Sequence, residues 1–426
     1  MPGISLGLTR TACPLRHRVA SLLLTGIALI ASGCAEDAES PTGPETAPDL
    51  AVSSTAAPLS FRQLSAGLRH TCGVTWDGQA YCWGENTLGQ LGDGTTTTHP
   101  APTPVAGNHR FILVSAGATY SCGLTTDQRS YCWGQNTVGQ LGDGTTTDRL
   151  TPAAVAGGRR FRQVRAGYFH TCAVNPFDLA FCWGHNASGQ LGDGTKTSRL
   201  QPVRVRGGLS FRRVFPAGLH TCGATLDNRG YCWGRNEDGQ LGDGTTIQKL
   251  GPVPVTGGQR FKQVMVGAAH GGGWNSVSCG LTTSDRAYCW GDNRFGQVGN
   301  GSSGYGLRQP TPAAVAGDRQ FREVSTGGVH TCGVTFSNLA YCWGSDGNSQ
   351  LGDGNFSSAD NVTPGPVAGG HQFRAITAGT FHTCALTVDD RAYCWGNNFS
   401  GQLGIGTIDG NPFRPHVAPE PVVGPA

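Results

Sequence analysis

The stretch His70-Thr-Cys-Gly-Val-Thr-Trp-Asp-Gly-Gln-Ala-Tyr-Cys-Trp-Gly-Glu-Asn-Thr-Leu-Gly-Gln-Leu-Gly-Asp-Gly-Thr95 decides the fold, because it returns six more times with small edits. Its Trp-Gly pair falls at Trp83, Trp133, Trp183, Trp233, Trp290, Trp343 and Trp395, with spacings of 50, 50, 50, 57, 53 and 52 residues. A period near 50 marks a repeat architecture, which overrules any domain count drawn from the 426-residue length.

Each unit reads as four short strands. Phe61-Arg-Gln-Leu-Ser-Ala66 alternates apolar and polar residues, as a half-buried strand does. Gly67 interrupts it, His70 to Thr75 forms a second strand, and Trp76-Asp77-Gly78 turns the chain into a third, Ala80 to Trp83. A glycine-rich loop, Gly89 to Thr95, leads to a short strand at 102–105, whose prolines suit an edge because proline cannot donate to a ladder. Four strands in about 50 residues is the pattern of a propeller blade. Units starting near 61, 111, 161, 211, 261, 321 and 373 predict an all-β, seven-bladed β-propeller over 59–426, closed between its N- and C-terminal blades. Pro421 to Val423 is expected to pair beside Phe61 to Leu64 and so seal the ring.

Ahead of the repeats, Arg10, Arg16, His17 and Arg18 precede an apolar run from Val19 to Ile30 and then Ala31-Ser-Gly-Cys34. A basic region, a short apolar core and small residues describe a secretory signal peptide over 1–33, too short to span a membrane well. Ala-Ser-Gly-Cys resembles the lipobox of bacterial lipoproteins, which implies lipidation of Cys34, although Ala31 stands where that pattern usually has Leu. A plain cleaved signal is the alternative. Residues 34–58, rich in Ala, Ser, Thr, Pro and acids, read as a solvated tether. The address expected is an exported, membrane-anchored lipoprotein, periplasmic or at the cell surface, touching membrane only through its anchor. Without the three leader arginines, 28 of the 31 basic residues face 28 acidic ones. A neutral body offers no electrostatic footprint for nucleic acid.

Setting aside Cys13 and Cys34, the remaining cysteines form seven pairs, each ten residues apart. They are Cys72 with Cys82, Cys122 with Cys132, Cys172 with Cys182, Cys222 with Cys232, Cys279 with Cys289, Cys332 with Cys342, and Cys384 with Cys394. Across a hairpin turning at 76–78, residues 72 and 82 lie opposite each other, within reach of a disulfide. The export signal favours oxidised pairs, and reduced core cysteines are the alternative. Metal binding is disfavoured, because the spacing is unlike the C-x2-C knuckles of zinc sites.

His70, His170, His220, His270, His330 and His382 recur, with Tyr120 in the remaining copy, and read as structural histidines reaching a neighbouring loop. Asp93, Asp143, Asp193, Asp243 and Asp353 recur in Gly-Asp-Gly, with Asn300 and Ile405 elsewhere, and read as turn caps rather than calcium ligands. No catalytic, cofactor or metal residue is assigned, since no blade departs from the others as a catalytic site would. Departures lie in the fifth unit, which inserts 271–277 and alters 302–307, and in the lengthened 355–363 of the sixth. Loops on a rigid scaffold carry binding, so Trp274, Asn275 and Tyr305 are the candidate partner contacts.

The units, with Ala-Gly-x-x-His-Thr-Cys, then Tyr-Cys-Trp-Gly-x-Asn, then Gly-Gln-Leu-Gly-Asp-Gly-Thr, resemble the regulator of chromosome condensation repeat family from residue 61 to about 424. The resemblance implies a seven-bladed propeller. Family members include a nucleotide-exchange factor for a small nuclear GTPase and a plant ultraviolet receptor. The receptor's Gly-Trp-Arg-His-Thr reads Gly67-Leu-Arg-His-Thr71 here, and an exported chain does not meet a nuclear GTPase. In style the chain is similar to exported bacterial propellers that cap a target protein with one ring face.

The function expected is therefore non-enzymatic binding of a protein or glycan partner through one face of a monomeric ring. A polysaccharide lyase or hydrolase with its site in the central funnel is the alternative. A nucleotide-exchange or chromatin role is disfavoured.

Overall fold

The computed structural model describes residues 59–267, 276–356, 359–410 and 415–425. They form seven antiparallel four-stranded sheets, each built from consecutive strands in sequence order. In the first blade these are Phe61–Ala66, His70–Thr75, Ala80–Gly84 and His99–Pro104, from the channel outward. The described residues contain no helix.

The hairpin between the second and third strands sets the register. Thr75 and Gln79 close the turn, which places Cys72 directly opposite Cys82. All seven expected pairs are disulfides, so the reduced alternative is set aside. Cys72 is bonded to Cys82, Cys122 to Cys132, Cys172 to Cys182 and Cys222 to Cys232. Cys279 is bonded to Cys289, Cys332 to Cys342 and Cys384 to Cys394. Their Cα atoms are 4.0–4.1 Å apart, the close approach of a non-hydrogen-bonded pair. The turn needs one residue at positive φ. Gly78 supplies it in the first blade, and Gln128, Asp178, Asn228, Asp285, Asn338 and Asp390 supply it in the rest.

The core lies between blades rather than within them. One cluster joins Cys72, Val74, Cys82 and Leu91 of the first blade to Phe111, Val114 and Trp133 of the second. There are seven such clusters, one at each interface. The recurrent tryptophans are fully buried, and each packs against the phenylalanine that starts its own unit, as Trp83 does on Phe61 at 5.8 Å. Burying such rings contributes roughly 2–3 kcal/mol apiece.

The ring closes between its first and seventh blades as expected, but the strand pairing that was to seal it is different. Pro421 pairs with Tyr393 of its own blade, so the segment 421–423 does not pair beside Phe61–Leu64. The seventh unit already holds three strands, and the fourth completes that sheet instead of borrowing the first. The two ends of the ring nevertheless meet, because Val422 packs in one cluster with Phe61, Leu64 and Trp83. The outermost strands are also longer than the sequence suggests, beginning at His99 rather than 102.

At one end of the channel the chain reverses from the first to the second strand, and backbone bonds run from blade to blade. Leu68 N donates to Gly117 O (3.2 Å), Ala118 N to Gly167 O (3.2 Å), Gly328 N to Gly379 O (3.2 Å) and Thr380 N to Gly67 O (3.2 Å). The last of these joins blade seven to blade one. A Cβ on Gly327 would lie 2.2 Å from the Gly379 oxygen, so only glycine allows that approach.

This contact predicts an asymmetry between glycines. Gly327→Ala should destabilise the ring by about 1–3 kcal/mol, whereas Gly304→Ala, with nothing within 4 Å of its added methyl, should unfold at the wild-type midpoint. Denaturant titration of both variants checks it.

Candidate functional site

Three regions carry side chains that packing alone does not demand: the inter-blade network, the central channel and the two ring faces.

The network is built on one carbonyl per blade. Gln90 O, in Gly-Gln-Leu-Gly, accepts the Trp133 indole N–H (3.0 Å) and the Ser121 hydroxyl (2.9 Å) of the next blade. Ser121 in turn accepts from Nε2 of His70 at 2.9 Å. The pattern repeats around the ring and across its closure, where Gln402 O takes Trp83 and Thr71, and Thr71 accepts from His382 at 2.8 Å. Because each hydroxyl donates to the glutamine carbonyl, the proton of each imidazole sits on Nε2. Tyr120 fills the histidine position of the second blade, and its hydroxyl reaches Thr171 (2.9 Å) and His170 O (2.7 Å). Burial pushes His70, His170, His220, His330 and His382 down to about 3, so they are neutral. They are structural groups, as their replaceability by tyrosine suggested. His270 lies outside the described residues.

The channel is a cavity of about 230 Å³ lined by the innermost strands. Here the sevenfold pattern breaks. Arg165, Arg213 and Glu323 come from three blades, with Phe215, Gln263 and Met265 between them. The Arg165 guanidinium lies 5.5 Å from the Phe215 ring centroid, and its buried Nε has no hydrogen-bond partner. Burial, then the charge of Arg213, pushes Arg165 down to about 10. Burial pushes the Glu323 carboxyl up, against the Ile376 N–H and the arginines that hold it down. Polysaccharide hydrolysis uses two facing carboxylates. Among the described residues this cavity has Glu323 as its one carboxylate, and Tyr168 lines the adjoining mouth of the channel.

The hairpin tips form one face. Trp76, Phe177, Leu226, Phe336 and Val388 are 59, 79, 46, 56 and 52% exposed at the tips of five blades. Beside them, at the start of the innermost strands, stand Arg62, Arg162, Arg212, Lys262, Arg322 and Arg374. Arg162 and Arg374 pair with Asp178 and Asp390, each at 2.6 Å, and Lys262 pairs with Asp285. Arg212 and Arg322 bond turn carbonyls and the Asn228 and Asn338 amides instead. Trp76 lies between Arg62 (6.0 Å) and Arg374 (5.9 Å), and its indole donates to Asp390 at 2.9 Å.

On the opposite face, Tyr305 is 92% exposed, with the Arg294 guanidinium 4.9 Å from its ring. Trp274 and Asn275 lie outside the described residues. The tip face was missed in the sequence because each tip residue differs from its counterparts. Their common offset, four or five residues after each hairpin cysteine at 72, 172, 222, 332 and 384, was the signal available.

A family model of the regulator of chromosome condensation (RCC1) repeat matches residues 77–124, 127–174, 178–223, 227–272, 284–334 and 337–386, and a second model of that repeat matches six stretches between 61 and 402. The chain belongs to the regulator of chromosome condensation repeat family. The first family match, 77–124, runs from the third strand of one blade to the second strand of the next, and so frames an interface rather than a blade.

Among curated relatives, the RCC1-repeat stretch is 31% identical over 140 residues to the ultraviolet-B receptor UVR8 of Arabidopsis thaliana, covering 31% of each chain. It is 34% identical over 147 residues to the human E3 ubiquitin-protein ligase HERC2, covering 34% of this chain and 3% of that one. The matches thus span less than a third of those proteins. Among solved structures, yeast Prp20p superposes with a TM-score of 0.70 at 19% identity, covering 86% of this chain and 88% of that one. Human WBSCR16 superposes at 0.68 and 19%, covering 77% and 87%. Such identities establish the fold alone.

The neutral imidazoles make stability pH-dependent. His330 falls from 6.5 unfolded to about 3 folded, so its contribution is whole above pH 6.5 and is lost as pH drops toward 3. His330→Gln keeps a donor toward Thr383 but cannot titrate. Relative to wild type it should spare about 2 kcal/mol of the stability lost between pH 7 and 5. Comparing both proteins by denaturant titration at the two pH values cancels the opposing effect of buried acids such as Glu323.

Proposed function

We propose that this chain is an exported, non-enzymatic binding propeller that holds a protein partner against its hairpin-tip face. One observation carries the reading: five tips expose large apolar side chains at one end of the ring, beside a circle of basic residues. Aromatic residues and arginine are the types enriched at protein interfaces and at their energetic centres. The tips stand on hairpins each pinned by a cystine, so the surface is preorganised and little ordering cost opposes binding. Yeast Prp20p, which shares the fold, has binding properties toward Gsp1p and histones, and by analogy this propeller presents itself to proteins.

Seven disulfides suit an oxidising compartment. With the leader 1–33, the proposed lipid on Cys34 and the tether 34–58, this describes a head displayed from a membrane. Among the described residues no helix is long and apolar enough to cross one. A second reading puts the partner on the opposite face, where Tyr305 under Arg294 is the most exposed large hydrophobic residue described.

Two measurements test these readings. Full-length protein carrying Phe177→Ser and Phe336→Ser should lose its envelope partner by roughly thirtyfold per substitution, about 2 kcal/mol each, while Tyr305→Ser retains it. The reverse result moves the site to the opposite face, and unchanged capture by every variant removes both faces. Intact-mass analysis of protein from the envelope should show acylated Cys34 and no free thiol. Free thiols, or an intact leader, would overturn export.

A further inference from the structure

The loop between the third and outermost strands is tied in six blades by one asparagine: Asn86, Asn136, Asn186, Asn236, Asn293 and Asn398. Its Oδ1 accepts a loop amide, as Asn136 accepts from Leu141 N at 3.0 Å. Its Nδ2 sits among oxygens: Asp143 Oδ1 at 3.1 Å, Thr145 O at 3.0 Å, Thr145 Oγ1 at 3.3 Å and Thr147 O at 3.1 Å. A nitrogen serves there because it brings two protons to a set of acceptors. The loop aspartate is then paired with a basic side chain on an outermost strand, Asp143 with Arg149 (2.8 Å), Asp193 with Arg199 (2.9 Å) and Asp243 with Lys249 (3.5 Å), while Asp93 contacts the His99 ring (3.0 Å).

The sixth blade changes both parts. Asp346 replaces the asparagine and still accepts from Leu351 N at 3.1 Å. Its other oxygen now stands in for the donor nitrogen. Asp346 is 1% exposed, and its Oδ2 has no hydrogen-bond partner. The strand position that holds Arg149 opposite Gly134 holds Asn361 opposite Gly344. Asp353 therefore has no ion pair among the described residues, unlike Asp143, Asp193 and Asp243. Asp360 adds a third carboxylate, bonded to Ser345 and close enough to Asp346 to raise its proton affinity. A pocket that elsewhere surrounds protons with oxygens thus has an oxygen at its centre and has lost its internal cation. Leaving a carboxylate buried and unpaired costs several kcal/mol.

We propose that the sixth-blade loop binds a calcium ion between Asp346 and Asp353, with the Asn355 carbonyl completing the protein ligands. The donors are all hard oxygens, which excludes soft thiophilic metals. An irregular loop with few carboxylates suits calcium, which tolerates variable geometry, better than magnesium, which demands an octahedron. Asp353 lies close enough to Asp346 to raise its proton affinity, and no group of three His, Cys, Asp or Glu side chains among the described residues is placed to hold a metal, so the proposed site has two carboxylates and takes its remaining positions from water. The inference is independent of which ring face binds a partner.

Calcium chloride titrated into the full chain after chelator treatment, read by calorimetry and by thermal unfolding, tests it. Wild type should bind one calcium per chain and unfold at a higher temperature with it, and magnesium should do so more weakly. Asp346→Asn installs the residue of the other six blades, so it should fold and bind calcium about tenfold or more weakly. Asn361→Arg restores the internal cation without touching a ligand and should weaken binding likewise. Absence of any calcium response in wild type, or an unchanged response in Asp346→Asn, would overturn the proposal and leave Asp346 holding a proton instead.

Discussion

A single backbone carbonyl per blade, that of the glutamine in Gly-Gln-Leu-Gly, holds this ring together. Each accepts an indole N–H and a hydroxyl from the following blade, so both lone pairs are used. The bonds lie in a dry interface, where a lost partner strands a buried polar group. That demand fixes much of the repeat. The tryptophan must reach the carbonyl, and the next glycine must let it pass: a Cβ on Gly92, already at φ +72°, would lie 2.5 Å from the Trp133 ring. The glutamine recurs partly for its own side chain, which accepts an amide of its own loop, as Gln90 does from Leu88 N at 2.9 Å.

The same constraint explains why the ring closes without exchanging a strand. Sequence period and strand pattern made the seven blades legible, and the ten-residue spacing made the cystines legible, from Cys72 and Cys82 through to Cys384 and Cys394. That the first and seventh blades meet was legible too, but the contacts that seal them were not, because they were sought in strand pairing. Adjacent blades are joined instead by side chains and loops: Trp83 to Gln402 O, His382 to Thr71, Arg374 to Phe61 O. These contacts depend on tertiary placement that no local pattern shows. The recurrence of Gln90, Gln140, Gln190, Gln240, Gln297, Gln350 and Gln402 in all seven units was visible, but its meaning lay in a neighbouring blade.

The interface also tells which positions are free to vary. On the innermost strand, Leu64, Val114, Val164, Val214, Val264, Val324 and Ile376 all face the core and stay aliphatic. Their immediate neighbours face the channel and range from Ser65 and Ser115 to Arg165, Phe215, Met265 and Glu323. The carbonyl-centred network uses none of those side chains, so charge and bulk can differ from blade to blade. The channel's chemistry is thus unreadable from the repeat and readable only from its exceptions.

The sixth blade shows how far that logic extends. Its loop keeps the acceptor half of the asparagine's work and discards the donor half, while the basic partner is lost from the outermost strand. Two changes of one sign, one in the loop and one on the strand beside it, do not follow from relaxed packing, because Asp346 remains buried and its Oδ2 has no hydrogen-bond partner. A repeat protein makes such a reversal visible. Six copies keep the asparagine and four of them also keep the paired aspartate and basic side chain, whereas the sixth blade keeps its aspartate and has given up both the donor and the basic partner, which is the composition of a site completed from outside the chain.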